Sequence, residues 1–308
     1  MTGGSLMLLS EIRTYEKIYY SLWETAQRYG SFAQFRVIGK SHDDRMIPML
    51  EIGTGQTAVF CLAGLNGVDR QMPAYLLKMA AEYCQAYECG WNMREFYDVK
   101  ELLNKVRLCL IPVLNPDGFE LCEKGYTIIR NPIYRQMLRM QNIPFQEFSY
   151  NARGMDLTQN FPTSYYSKKW IHQEPASENE TKALIRIFQE YRSRGLLSFC
   201  SLGKKIVYYR QPQAFAYNQR SYRLARHLQK CSSYRLEKNH GNAPERDIAK
   251  QKSSGSAEQF YAEVCKQPAI RIETPSLPGA TQENEAMIQK EYDEIHTLPL
   301  EYIFSLAQ

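Results

Sequence analysis

A carboxylate at the end of an apolar strand can act as a general base, and Ala269-Ile270-Arg271-Ile272-Glu273, followed by Thr274-Pro275, supplies one. Desolvation raises the pKa of an unpaired carboxylate in such a place, so Glu273 needs a cation. Arg271, two residues earlier and on the same sheet face, can provide it, as can Arg130. Cys200 lies in a second apolar run and reads first as a small buried thiol. A thiolate nucleophile would need a neighbouring base, and His42, His172, His227, His240 and His296 all fall away from the strand ends. Asp69 either pairs with a cation such as Arg70 or Lys40 or holds a metal. Asn66-Gly67 is a turn pair, and turn geometry accounts for Asn115-Pro116-Asp117-Gly118.

These residues require a frame of alternating strands and helices. Ile12, Tyr15, Ile18, Tyr19, Leu22, Trp23 and Ala26 recur at helical steps within 11–29. Strands are predicted over 35–38, 46–52, 58–65, 106–114, 196–202, 205–210 and 269–273, several of them continuous apolar runs suited to burial on both faces. Helices are predicted from Pro73 to 87, from a Ser177/Glu180 capping box to 192, over 218–229, and as one closing helix over 284–307. The stretch 125–169 lacks periodicity and reads as long ordered loops. The pattern predicts one α/β domain over 1–308, with an N-terminal helix in 1–30 and a core over 31–308 around a mixed, largely parallel sheet with helices on both faces. Such sheets bind ligands beyond the carboxyl ends of their strands, here 65–70, 115–118, 200–203 and 273–275.

Composition narrows the function classes. A formal charge of +5 is spread over 38 basic and 33 acidic residues without a block of one sign, which argues against nucleic acid as a partner. Eight cysteines without a Cys-x-x-Cys pair read as reduced core thiols. The first ten residues lack the basic stretch of a signal peptide, and no apolar run approaches the roughly 18 residues of a membrane span, so a cytoplasmic location is expected.

Several phrases, in order, carry a family likeness. Gly39-Lys40-Ser41 with Arg45-Met46-Ile47-Pro48, Asn115-Pro116-Asp117-Gly118, Asn151-Ala152-Arg153-Gly154-Met155-Asp156-Leu157-Thr158-Gln159-Asn160-Phe161-Pro162, and Ser177-Glu178-Asn179-Glu180-Thr181 resemble segments of the carboxypeptidase A-like zinc peptidases. The phrasing is nearest to the bacterial branch that cleaves γ-D-glutamyl-diamino acid bonds. That family holds zinc with a His-x-x-Glu pair and a later His, which leaves a fourth position for water. The resemblance places Asn66, Asp69 and Cys200 at those three ligand positions. It also implies that Glu273 is the catalytic general base, that Arg130 polarises the scissile carbonyl, and that Asp156 backs the first ligand. Thr158-Gln159 stands where the family often has an Asn-Arg clamp for the terminal carboxylate, and Lys250 where it has a tyrosine.

Asn is a weak zinc donor, whereas imidazole, thiolate and carboxylate suit the ion. With all three ligands replaced, the expectation is a carboxypeptidase-like protein that binds a peptide or cell-wall peptide fragment without cutting it, and zinc only if it is active. One rival is an active metallopeptidase using Asp69, Cys200 and a rearranged third ligand. Another is a scaffold whose cleft is filled by side chains.

Overall fold

The computed structural model describes residues 9–93, 98–164, 166, 174–211, 213–237, 255–276 and 284–307. Its eight strands are β1 (Ala33–Lys40), β2 (Met46–Ile52), β3 (Thr57–Leu62), β4 (Val106–Ile111), β5 (Ser193–Cys200), β6 (Lys205–Val207), β7 (Arg235–Leu236) and β8 (Ala269–Glu273). They form one sheet in the order β1-β2-β4-β3-β5-β8-β6-β7. The central neighbours β4, β3, β5 and β8 are parallel, while β2 joins β4 and β6 joins β8 antiparallel.

The long apolar runs are buried on both faces because alternate residues point to opposite sides. Along β3, Val59 and Cys61 enter one core, while Ala58, Phe60 and Leu62 enter the other. The first core is covered by α1 (Tyr15–Arg28), α2 (Gln71–Cys89), α3 (Val99–Lys105), α7 (Phe215–Lys230), α9 (Glu285–Ile295) and α10 (Leu298–Ala307). The second is covered by α6 (Asn179–Glu190) and α8 (Ala257–Cys265). A small third core forms around α4 (Pro116–Lys124) and α5 (Pro132–Met140).

Several expectations need correction. The stretch 125–169 is not all loop: Asn131 caps α5 by accepting from Ile133 N and Tyr134 N, with Pro132 in the first turn. The apolar residues Ile133, Tyr134, Met137 and Leu138 of α5 do recur at helical steps, but over nine residues only, too short a stretch to stand out from the surrounding loops. The turn at Asn115 is also a helix start, since its side chain accepts from Gly118 N at 2.9 Å. The capping box does not form. Ser177 Oγ donates to Glu178 Oε1 at 2.7 Å, and α6 begins at Asn179. The closing helix breaks at Thr297, and Pro299 falls in the first turn of α10. Trp23 is 46% exposed and lies outside the buried stripe of α1.

Helix α10 is pressed into the sheet. A Cβ on Gly195 would stand 2.5 Å from Tyr302 Oη, so only glycine admits that ring against β5. Tyr302 donates to Pro268 O at 2.8 Å, and Leu196 N donates to the same oxygen at 3.0 Å.

Candidate functional site at the strand ends

The loop from β3 to α2 is fixed by its neighbours. Asn115 Nδ2 donates to Leu65 O at 3.1 Å and to Tyr150 O at 3.2 Å, and Gly67 N donates to Ser149 O at 3.2 Å. A Cβ on Gly67 would meet Phe148 O at 2.5 Å and Gly118 O at 2.7 Å. Asp69 N donates to Asn66 O at 3.2 Å, which closes the turn expected of Asn-Gly. Asp117 acts in the supporting frame. It is fully buried and accepts from Ser41 Oγ at 2.7 Å and Arg45 Nη1 at 2.8 Å.

A cavity of about 280 Å³ opens beyond these strand ends. Asn66, Asp69, Cys200, Thr158 and Gln159 all line it, so five of the eight sequence-predicted site residues converge. Ser198, Ser256, Glu258 and Arg271 add to its polar wall. Thr158 is held by Asp156, which accepts from Thr158 N at 3.0 Å and from its hydroxyl at 2.6 Å. Glu273 is not in the cavity lining. Arg130 is exposed, with its backbone N donating to Asp43 Oδ1 at 2.9 Å, and it does not line the cavity. Lys250 lies outside the described residues.

Asp69 pairs with neither Lys40 nor Arg70. It accepts from Ser201 Oγ at 2.9 Å, while Arg70 bridges Glu123 at 3.0 Å. Burial pushes the Asp69 carboxyl up to about 6, with the Ser201 hydroxyl and the Met72 and Ser201 backbone amides working against that rise. Burial also pushes the Cys200 thiol well above its ordinary range, the Arg271 charge only partly opposing it. Glu273 finds its cation in Arg271, as one of the two sequence candidates foresaw: Arg271 Nη2 stands 2.8 Å from Glu273 Oε1. A second cation, Lys205, stands 3.2 Å from Glu273 Oε2. No local spacing points to it, because Lys205 faces Glu273 only through the antiparallel register of β6 and β8.

Glu258 was also missed as a site residue. It is buried, accepts from Ser198 Oγ, and faces the guanidinium groups of Arg271 and Arg210. Burial alone would raise its carboxyl, but those two charges hold it below its ordinary value. Arg210 is itself buried, and its Nε and Nη2 have no hydrogen-bond partner.

Comparison with known proteins agrees with this frame. Residues 18–291 match the family described as zinc carboxypeptidase. YqgT of Bacillus subtilis, an uncharacterized protein, is 28% identical over 194 residues, covering 58% of this chain and 50% of that protein. Human carboxypeptidase Z is 28% identical over 168 residues, covering 50% of this chain and 22% of that protein. The matches thus span half the length of these relatives or less. Among solved structures, bovine thrombin-activatable fibrinolysis inhibitor, in complex with tick carboxypeptidase inhibitor, superimposes with a TM-score of 0.72 at 15% identity, covering 97% of this chain and 98% of that one. Carboxypeptidase A of Helicoverpa armigera gives 0.69 at 18% identity, covering 97% and 74%. At such identities the likeness speaks for the fold, and the match along 18–291 speaks for descent. The chain belongs to the zinc carboxypeptidase family.

Proposed function

We propose that this chain is a family member that binds a peptide end, or a cell-wall peptide fragment, without cleaving it. The carrying observation is the state of Glu273: both carboxylate oxygens are engaged by cations, Arg271 at 2.8 Å and Lys205 at 3.2 Å, and the side chain stands off the cavity. A carboxylate held by two cations outside the cavity lining is poorly placed to reach a water within it.

The donor set supports the same reading. The residues at the family's ligand positions are a poor fit for zinc: Asn66 offers a neutral amide, burial holds the proton on Cys200, and Asp69 is bonded to Ser201. The open cavity favours binding over a filled scaffold. Among the described residues its one cationic lining residue is Arg271, with a side chain 29% exposed. We therefore assign the ligand a carboxylate, read by Arg271 in the absence of an arginine at Gln159.

Calorimetry with the full chain would compare N-acetyl-glutamyl dipeptides with their amide counterparts, beside a hydrolysis assay with zinc supplied. The expected result is binding of the acids without turnover, at least about tenfold weaker in Arg271→Gln. Turnover that is abolished by Glu273→Gln would overturn the proposal. Equal binding of acid and amide would remove the carboxylate assignment alone.

A further inference from the structure

The donors missing from the sheet end are assembled elsewhere. His227 and Cys231 lie one turn apart at the carboxyl end of α7, so their side chains share a face. Glu301 reaches them from α10. His227 Nε2 stands 2.7 Å from Glu301 Oε2 and 3.8 Å from Cys231 Sγ, and all three ligand atoms lie within 4.8 Å of one another. The Phe304 ring, 6.4 Å away between centroids, flanks the imidazole. The His227 side chain is 33% exposed, which leaves a path from solvent.

We propose that His227, Cys231 and Glu301 form a binding site for zinc or a similar borderline divalent cation. Bonds of about 2.0–2.3 Å at tetrahedral angles put neighbouring donors roughly 3.3–3.6 Å apart. The present nitrogen–sulfur separation is close to that, and the histidine–glutamate pair need open by only about half an ångström. On binding, the Cys231 thiol releases its proton to solvent as the metal–sulfur bond forms. One thiolate and one carboxylate then balance the dication, a neutral imidazole is the third ligand, and water takes the fourth position. The other cluster of this kind among the described residues is His42 with Glu178 and Glu180, where Glu178 accepts from Asn151 at 2.8 Å, Ser177 at 2.7 Å and Arg153 at 3.2 Å.

The test is titration of the reduced, chelator-stripped full chain with cobalt(II) and then zinc. It is read by the sulfur-to-cobalt absorption band, by calorimetry, and by melting temperature. The expected result is one equivalent bound, a thiolate–cobalt band, a rise in melting temperature with zinc, and at least about tenfold weaker binding in both Cys231→Ser and Glu301→Gln. Cys200→Ser should bind as the parent does. No thiolate–cobalt band in the parent overturns this site and leaves the proposed function standing. Binding that survives Cys231→Ser and is lost in Cys200→Ser overturns both, since it would move the metal to the sheet-end cavity.

Discussion

Replacing Glu180 by Gln should make the protein more stable as pH rises. Glu180 is fully buried, and its side-chain oxygens receive the 3.4 Å contacts of Asn151 Nδ2 and a hydrogen bond from its own backbone amide. Burial, then the charges of Asp117 and Glu178, push its carboxyl up from 4.5 to about 8. The folded chain therefore holds this proton more tightly than the unfolded chain does. Stability from that proton is fully present below the unfolded value and is lost as pH rises through 8. Each pH unit between the two values is worth about 1.4 kcal/mol. Between pH 5 and 7 the Gln variant should gain about 2–3 kcal/mol on the parent, because Gln has nothing to ionise. Glu178 does not enter this window: burial would raise it, but hydrogen bonds from His42, Ser177 and Asn151 bring it down to about 2. Urea denaturation of both proteins at pH 5, 6, 7 and 8 gives the gap directly. A gap that is flat or narrows with pH would refute the reasoning.

Glu273→Gln should act in the opposite sense, costing about 1–3 kcal/mol in denaturant melts because two partly exposed cations lose their partner; a more stable variant would argue that Glu273 is held for catalysis. Gly67→Ala should cost about 1–3 kcal/mol, since its methyl would press on two carbonyl oxygens, and should weaken ligand binding by displacing Asn66 and Asp69. Phe60→Ala should cost about 3–5 kcal/mol, because that fully buried ring sits among Phe188, Tyr191 and Tyr261; a cost under about 1 kcal/mol would contradict the packing.

The central strands were legible because burial on both faces writes itself as unbroken apolar runs, as in Val59-Phe60-Cys61-Leu62. The convergence of Asn66, Asp69, Thr158, Gln159 and Cys200 on one cavity was legible from the order of the family phrases. Helix α8 was not, for its nine residues are too few to separate helical from strand periodicity. Pairings between distant segments were also hidden. Lys205 meets Glu273 through strand order, and His227 meets Glu301 through helix packing, and neither leaves a local spacing to read.

The seat of Tyr302 beside Gly195 bears on the timing of assembly. Strands β5 and β8, which carry Cys200 and Glu273, are both made before α10, and the tyrosine that seals them arrives more than a hundred residues after Gly195. On the ribosome the seam between these strands stays unsealed until α10 emerges, so their packing matures later than the strands themselves.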